Sequence, residues 1–74
     1  PILTVIPLSS SVQRVYPFDV LLKTGQGVKE DSRAMANQIR TIDRQRVRRK
    51  LGNVGPETMS RIEDAILLHL GIER

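Results

Sequence analysis

The sequence lacks cysteine and tryptophan, and it contains one histidine, one tyrosine and one phenylalanine. Without cysteine, neither a disulfide framework nor a thiolate metal site can stabilise the chain. The single histidine, His69, excludes a metal site built from several histidines of this chain. The 74 residues predict one small domain with a core of marginal size. A partner subunit or a further piece of chain is therefore the expected source of additional stability.

Long apolar runs are also missing, and none approaches the ~20 residues of a transmembrane helix. Acidic residues are outnumbered, with 8 Asp and Glu against 12 Lys and Arg, which gives a net charge of +4 and a pI near 10.4. This balance favours an anionic partner such as nucleic acid or an acidic protein segment, the alternative being a basic surface that is simply solvated. The opening residues do not resemble a signal peptide, which together with the lack of cysteine fits a cytoplasmic location.

The first half of the chain predicts sheet. Residues 2–8 are apolar on both faces and predict a central strand, in which Pro7 loosens the pairing because it has no N–H group. Residues 18–22 predict a second strand, and residues 32–42 a third. Between these two, the glycines of residues 23–27 predict a turn.

The serine triplet Ser9, Ser10 and Ser11 follows the first predicted strand. Three consecutive hydroxyls fit an ordinary loop. The alternative is a cluster of hydrogen-bond donors and acceptors beside a ligand. The sequence leaves both interpretations open.

The pattern changes at Asp43, which is placed to cap a short helical turn. A dense basic segment follows, with Val47 and Leu51 as its expected apolar anchors and with five cations: Arg44, Arg46, Arg48, Arg49 and Lys50. Such a segment is either a solvated face or an electrostatic path for an anionic partner.

A C-terminal helix is predicted to begin at Pro56 and to end at Gly71. Helical spacing puts four apolar residues on one face: Met59, Ile62, Ile66 and Leu70. Leu67 and Leu68 widen this stripe, which is either buried in the chain's own core or makes a second contact with a subunit or partner. Of the polar residues on the helix, His69 is expected at a surface or interface. Glu63 and Asp64 are adjacent and point in different directions, so they do not form an acid–base pair.

The order of elements predicts a mainly β domain, a small curved antiparallel sheet closed by a C-terminal helix. We assign residues 1–74 to this single domain, with the sheet and basic turn in residues 1–52 and the helix in residues 55–71. No internal repeat or low-complexity segment divides the chain.

Six short blocks carry a family resemblance. They occur in the order PLSS (7–10), YPF (16–18), DS (31–32), QIRTIDR (38–44), KLG (50–52) and PETM (56–59). This series resembles the C-terminal two-thirds of the MazF/PemK/Kid toxins of toxin–antitoxin systems. The match covers essentially the whole chain, and QIRTIDR is its most specific block.

The resemblance implies a fold, an activity and partners. The fold is a partly open SH3-like β-barrel of the CcdB/PemK type with a C-terminal helix, which forms a homodimer and here lacks its N-terminal strands. The activity is that of an mRNA interferase, a sequence-specific endoribonuclease that needs no metal or other cofactor. In the family, the ribose 2′-hydroxyl of single-stranded RNA attacks the adjacent phosphate and leaves a 2′,3′-cyclic phosphate. The protein partner is a MazE-like antitoxin with an acidic tail.

The family's site residues map onto two regions of this sequence. Ser9 corresponds to the threonine or serine near the scissile phosphate, so the resemblance assigns it a catalytic role. The loop that lines the RNA groove corresponds to Ser10, Ser11 and Arg14. Gln38 corresponds to a glutamine that contacts RNA, and its amide can donate to and accept from base edges. Arg40 either meets phosphate or has a structural role on the other face of its strand.

Two departures from the family limit this transfer. The Kid branch has an Arg-x-Asp acid–base pair, and the corresponding residues here are Met35 and Asn37, which cannot transfer protons at neutral pH. A Gly-x-Arg-Pro arginine of the family's N-terminal part has no counterpart in the sequence, so we expect this chain to be the C-terminal portion of a longer polypeptide. The alternatives to a nuclease are a non-catalytic basic module that binds RNA or an acidic peptide, and a fragment that only dimerises.

Overall fold

The computed structural model describes residues 1–73, in which short strands precede one α-helix. The strands are β1 (Ile2–Val5), β2 (Leu8–Ser9), β3 (Asp19–Leu22), β4 (Ser32–Met35) and β5 (Arg40–Asp43). Single 3₁₀ turns occupy Ala36–Gln38 and Arg44–Arg46, and α1 spans Pro56–Leu70. The prediction of a mainly β chain with a C-terminal helix is confirmed.

The strands form two small antiparallel sheets. β1 pairs with β5, with Ile2 opposite Asp43 and Val5 opposite Arg40. In the second sheet β4 lies between β2 and β3. Within residues 1–73 the sheets do not close into a barrel. The single curved sheet expected from the sequence is therefore divided in two.

The prediction of one central strand over residues 2–8 is wrong. The strand stops at Val5 and resumes at Leu8 in the other sheet. Pro7 lies at the break, where it has no N–H to donate and its carbonyl oxygen accepts a hydrogen bond from the Met35 N–H at 3.0 Å. β1 is not central either, since β5 is its one neighbour among the described residues and Ile2 is 73% exposed.

The prediction of one strand over residues 32–42 is also wrong. The 3₁₀ turn Ala36–Gln38 separates β4 from β5, which belong to different sheets. Ala36 is 1% exposed, and its N–H donates to the Phe18 carbonyl at 3.3 Å. The turn closes with the Ile39 N–H donating to the Ala36 carbonyl at 3.2 Å. A small residue thus lets the chain turn inside the core and leave toward the second sheet.

The core lies between the β2–β4–β3 sheet and α1. Its buried apolar residues come from β3, β4, the first 3₁₀ turn and the helix: Val20, Leu22, Ala34, Ala36, Ile62 and Ala65. Partly buried side chains complete it from the edges: Ile6, Val28, Val54 and Ile66. The helix packs against β3 and the Ala36–Gln38 turn, so this sheet forms the core together with α1.

Both predicted ends of the helix are confirmed. Pro56 is its first residue, and Gly55 precedes it in extended conformation with its carbonyl accepting from the Met59 N–H at 2.9 Å. Gly71 ends it in the left-handed region at φ +72°, with its N–H directed to the last-turn carbonyls. No helix within residues 1–73 has the length and apolar character needed to span a membrane.

The predicted apolar face of the helix is only partly correct. The buried residues are Thr58, Ile62 and Ala65, whereas Met59 and Leu70 are exposed. The small side chains of Thr58 and Ala65 allow the helix to approach the sheet closely, so the packing face is rotated from the one expected. Leu68 is exposed as well. The interpretation that the whole stripe is buried in the chain's own core is therefore wrong, and a second contact stays a prediction.

The predicted turn between β3 and β4 is confirmed, and two of its glycines adopt positive φ. Gly25 has φ +92° and Gly27 has φ +89°. The surroundings of the two differ, since a Cβ on Gly25 would meet no atom within 4 Å whereas a Cβ on Gly27 would lie 2.7 Å from the Asn53 carbonyl oxygen. Gly27 therefore also provides the close approach between this turn and the segment that leads into the helix.

We expect Gly27→Ala to destabilise the fold more than Gly25→Ala. Both substitutions place a Cβ at positive φ, which costs about 1–2 kcal/mol, and Gly27→Ala adds an overlap with backbone that costs about 1–3 kcal/mol more. Urea unfolding followed by circular dichroism measures the difference, and Gly25→Ala is the matched control. Equal losses of unfolding free energy in the two variants would contradict the close approach at Gly27.

Candidate nucleic-acid interface

The serine loop, defined here as residues 9–14, begins at the last residue of β2. Ser9 is half-buried, and its Oγ accepts a hydrogen bond from the Ser11 N–H at 3.2 Å. That bond uses a lone pair of the Ser9 hydroxyl and leaves its proton to be donated to a ligand. Ser10 and Ser11 are exposed. The structure thus brings Ser9, Ser10 and Ser11 together on one loop.

A buried ion pair supports this loop. The Arg33 Nε–H donates to the Ser11 carbonyl at 2.8 Å, and Arg33 Nη1 lies 3.2 Å from Asp19 Oδ2. The Asp19 side chain is 0% exposed and that of Arg33 18%. Removing one partner of such a pair leaves an uncompensated buried charge, at a cost of about 3–5 kcal/mol.

Asp19 fixes the far end of the same connection. Its Oδ2 also accepts a hydrogen bond from the Tyr16 N–H at 2.9 Å, and its own N–H donates to the Tyr16 carbonyl at 2.9 Å. Asp19 Oδ1 has no hydrogen-bond partner among residues 1–73. Within these residues the carboxylate therefore acts through Oδ2. One carboxylate therefore ties both ends of the chain between β2 and β3.

Arg33 and Asp19 are residues that the sequence analysis missed. One signal was available: Asp19 is an acid inside the apolar run Phe18–Leu22, and an acid at a buried strand position requires a partner. The partner itself was not predictable, because Arg33 lies 14 positions further along the chain and only the β3–β4 register brings the two together.

Arg14, predicted to bind RNA, is exposed at the end of the serine loop. Its guanidinium carbon lies 6.0 Å from the centroid of the Tyr16 ring, and its Nη1 lies 3.5 Å from the Tyr16 hydroxyl. The Tyr16 ring in turn stacks on Phe18, with centroids 5.7 Å apart and planes 8° apart. This stack orients Arg14 while its charge stays in solvent, where a phosphate can reach it.

Gln38 and Arg40 lie away from the serine loop. Ser9 is opposite Arg33 near the start of β4, whereas Gln38 is in the 3₁₀ turn after the end of β4. Arg40 begins β5 in the other sheet. Both side chains are exposed, and neither makes a hydrogen bond or ion pair within residues 1–73. The candidate residues thus form two groups, one beside Arg33 of β4 and one at and beyond the turn that follows β4.

The basic segment after β5 is exposed throughout. Asp43 caps its first turn, as predicted, by accepting the Gln45 N–H at 2.9 Å. The expected apolar anchors are wrong, because Val47 is 51% and Leu51 70% exposed. The cations of residues 44–50 therefore stand in solvent, with the segment held at Gly52 by its close approach to Gly27.

A second cation–carboxylate pair lies at the other end of the β3–β4 hairpin. Lys23 Nζ is 3.9 Å from Asp31 Oδ2, and both side chains are substantially exposed. Hydrogen bonds from the Thr24 N–H and then the Thr24 hydroxyl, together with the charge of Lys23, hold the pKa of Asp31 below its ordinary value against desolvation, which raises it. Because its pKa is lowered on folding, the Asp31 carboxylate stabilises the fold at pH values above the pKa that Asp31 has in the unfolded chain. This stabilisation is lost as the pH falls through the pKa of Asp31 in the folded chain.

The helix contributes no comparable cluster. His69 is exposed, as predicted for a surface residue, and Glu63 and Asp64 are exposed, adjacent residues of α1. Among residues 1–73, no group of three or more His, Cys, Asp and Glu side chains is placed to hold a metal ion.

Comparison with solved structures places this fold among the MazF toxins. The Mycobacterium tuberculosis toxin MazF-mt6 superposes with a TM-score of 0.88 over 99% of this chain and 73% of its own, at 19% identity. A mycobacterial endoribonuclease in complex with its cognate antitoxin superposes with a TM-score of 0.82 over 99% of this chain and 68% of its own, at 23% identity. At these identities the likeness shows the fold alone.

The sequence comparisons show the family. The chain belongs to the PemK-like, MazF-like toxins of type II toxin–antitoxin systems, whose family model matches residues 1–70. Endoribonuclease MazF9 of Mycobacterium tuberculosis (strain ATCC 25618 / H37Rv) is 39% identical over 72 residues, which are 96% of this chain and 61% of that protein. The resemblance drawn from the short blocks is confirmed, and the chain spans about three-fifths of the length of this relative.

Proposed function

We propose that this chain supplies part of the RNA-cleaving site of a sequence-specific, metal-independent endoribonuclease toxin of a type II toxin–antitoxin system. The observation that carries the proposal is the Ser9 hydroxyl, fixed through its oxygen by the Ser11 N–H at 3.2 Å and free to donate its proton. Family membership over residues 1–70 and the endoribonuclease name of a relative with 39% identity support the same activity.

In the proposed reaction, the ribose 2′-oxygen attacks the adjacent phosphorus while the bond from phosphorus to the 5′-oxygen breaks. The 2′-hydroxyl loses its proton to a base, and the departing 5′-oxygen gains one, which leaves a 2′,3′-cyclic phosphate and a 5′-hydroxyl. Charge builds up on the non-bridging phosphate oxygens, and Ser9 donates a hydrogen bond to one of them. No side chain of residues 1–73 is assigned as the base, since Met35 and Asn37 stand at the positions of the Kid acid–base pair.

The remaining site residues bind the substrate. Ser10, Ser11 and Arg14 contact the phosphate backbone near Ser9, whereas Gln38 reads a base edge and Arg40 meets a phosphate further along the strand. Their exposure and their lack of competing ion pairs within the described chain support these roles. One group lies beside Arg33 of β4 and the other at and beyond the turn that follows β4, so the proposed RNA passes along this strand.

The proposed partners follow from the exposed surfaces. The basic segment of residues 44–50 suits the acidic tail of a MazE-like antitoxin. The exposed Met59 and Leu70 lie on one face of α1 and suit a homodimer contact. A cytoplasmic location follows from an mRNA substrate. The assignment of residues 1–74 to the C-terminal portion of such a toxin stays a prediction, and finding a Gly-x-Arg-Pro motif encoded upstream of Pro1 would support it.

A second candidate function is a basic module that binds RNA without cutting it. The exposed cations of residues 44–50 favour this alternative, since they provide binding and no chemistry. The two functions differ in one observable: only the nuclease converts a labelled oligonucleotide into products with cyclic phosphate ends.

We expect Ser9→Ala to lower the single-turnover rate of RNA cleavage at least ~10-fold, the effect of losing a transition-state hydrogen bond worth ~1.4 kcal/mol. The exposed helix residue Ser60 supplies the matched control, because Ser60→Ala removes a hydroxyl remote from the loop. An unchanged rate in Ser9→Ala would leave Ser9 as an ordinary loop residue.

For Gln38→Ala we expect a changed sequence preference with a smaller effect on the rate at a permissive site, because the amide reads bases and does not act on the phosphate. Cleavage of a randomised RNA pool, read by sequencing of the new 5′ ends, measures the preference. Gln45→Ala is the control, since Gln45 is an exposed glutamine of the second 3₁₀ turn. Identical cleavage patterns for Gln38→Ala and the native protein would remove Gln38 from base reading.

Cleavage is expected to persist in excess EDTA, because the proposed mechanism uses side-chain donors where other nucleases use a divalent cation. The products should carry 2′,3′-cyclic phosphate and 5′-hydroxyl ends, which mass spectrometry distinguishes from 3′-hydroxyl and 5′-phosphate ends. A metal-dependent nuclease assayed in parallel shows that the chelator acts. Loss of cleavage in EDTA that added Mg²⁺ restores would overturn the proposed mechanism.

A further inference from the structure

The ion pair of Arg33 and Asp19 lies outside the residues assigned to RNA, yet it touches the serine loop directly. We propose that Arg33 and Asp19 are positioning residues for cleavage, which hold the serine loop so that the Ser9 hydroxyl meets the scissile phosphate. The inference rests on the proposed function of Ser9. It assigns a role to two side chains that the RNA contacts alone leave unexplained.

The geometry of Arg33 uses two edges of one planar guanidinium. Nε donates to the Ser11 carbonyl at 2.8 Å, and Nη1 donates to Asp19 Oδ2 at 3.2 Å. Because the guanidinium is rigid, the position of Asp19 sets the direction in which Nε can reach Ser11. A lysine at this position would offer a single ammonium and could not reproduce both directions.

The constraint reaches Ser9 through Ser11. Arg33 donates a hydrogen bond to the Ser11 carbonyl, and the Ser11 N–H donates to Ser9 Oγ at 3.2 Å. The backbone pairing of Ser9 with Arg33 holds the start of the loop at the same place on β4. The Ser9 backbone is thus held by its pairing with β4, and the Ser9 oxygen by the Ser11 N–H.

Asp19 extends the constraint to the other end of the connection between β2 and β3. Its Oδ2 accepts from the Tyr16 N–H at 2.9 Å as well as from Arg33. Asp19 is buried at the start of β3, so the loop is attached through Asp19 to the sheet that carries the core. A displacement of about 1 Å at a reacting group can cost on the order of 10²-fold in rate, so such anchoring bears on catalysis.

A purely structural role is the competing explanation, and the chain supplies a matched control for it. Lys23 and Asp31 form a second pair across the same β3–β4 hairpin, 3.9 Å apart, and their partners are each other and Thr24. This pair shares the hairpin and the charge types but does not touch the serine loop. Removing it tests the general effect of losing an ion pair from the hairpin.

The test compares two charge-neutral double variants of the native protein, D19N/R33M and K23M/D31N. Removing both charges together avoids an unpaired buried charge, and Asn at position 19 keeps an acceptor for the Tyr16 N–H. Both are assayed well below their melting temperatures. We expect D19N/R33M to lower kcat at least ~10-fold with KM changed by less than ~3-fold, whereas K23M/D31N stays within ~2-fold of native. Equal losses in the two variants would overturn the proposal.

A second comparison asks whether the pair acts through Ser9. In the Ser9→Ala background, D19N/R33M should lower kcat by less than ~3-fold, because the group that it positions is already absent. An undiminished ~10-fold loss in that background would show that the pair does not work through Ser9, and this also overturns the proposal. Arg33→Lys, which keeps the charge, should resemble D19N/R33M in kcat while retaining more stability.

Amide hydrogen exchange separates this inference from the proposed function. The Ser11 N–H group should exchange ~10-fold faster in D19N/R33M than in the native protein and K23M/D31N, whereas the Tyr16 N–H keeps the amide oxygen of D19N as its acceptor and serves as the internal reference. Unchanged exchange would show that the pair does not hold the loop, whatever the cleavage rates. If the native protein cut no RNA but the exchange difference were present, the nuclease assignment would fall, while the loop anchoring would stand.

Discussion

The chain changes sheet at Pro7 and again at Ala36, two points that are distant in sequence but neighbours in the fold, and the rest of the structure depends on this constraint. Pro7 interrupts the first strand because it has no N–H, and its carbonyl accepts a hydrogen bond from the Met35 N–H at 3.0 Å. Ala36 follows Met35 directly. It turns into the core, and its N–H donates to the Phe18 carbonyl at 3.3 Å. Since both strands leave the sheet at the same level, β1 and β5 remain paired with each other and form a separate sheet.

This change of sheet decides where the functional groups stand. Ser9 lies on the β2–β4–β3 sheet, opposite Arg33, whereas Gln38 lies in the turn between the sheets and Arg40 on the β1–β5 sheet. From the level of Arg33 to Ala36 the chain advances on the order of 10 Å, at about 3.3 Å per residue. A ligand that contacts both groups must therefore span at least this distance.

The sequence predicted features that depend on one or two local residues. Pro56 and Gly71 determine the helix ends through their backbone chemistry, and Gly25 and Gly27 determine the hairpin turn through positive φ. The division of residues 32–42 was not predicted, because Ile39, Thr41 and Ile42 have high strand propensity and nothing local shows that Ala36 turns inward. Burial of Ala36 depends on Phe18, Val20 and the helix, which are distant in sequence.

The residues of the candidate site also differ in whether the sequence alone could predict them. Ser9 and Gln38 could be proposed as ligand contacts because the family blocks contain them. The residues that support the loop could not, because Arg33 and Asp19 gain their meaning only from the register that pairs Asp19 with Met35 and Leu21 with Arg33. A supporting ion pair can be built from any two positions that the sheet brings together, so no short block of sequence reveals it.

The energetics of that ion pair explain why its role is better sought in geometry than in stability. A buried pair loses solvation roughly as large as its mutual attraction, and apolar residues of similar size often replace such a pair at no cost to stability. The described core holds few large apolar side chains, with Leu22 the largest that is fully buried. Apolar side chains at positions 19 and 33 could therefore stabilise the fold as well, but they could not donate to the Ser11 carbonyl or accept the Tyr16 N–H. What the ion pair provides, and what apolar packing lacks, is a fixed direction for the loop that carries Ser9.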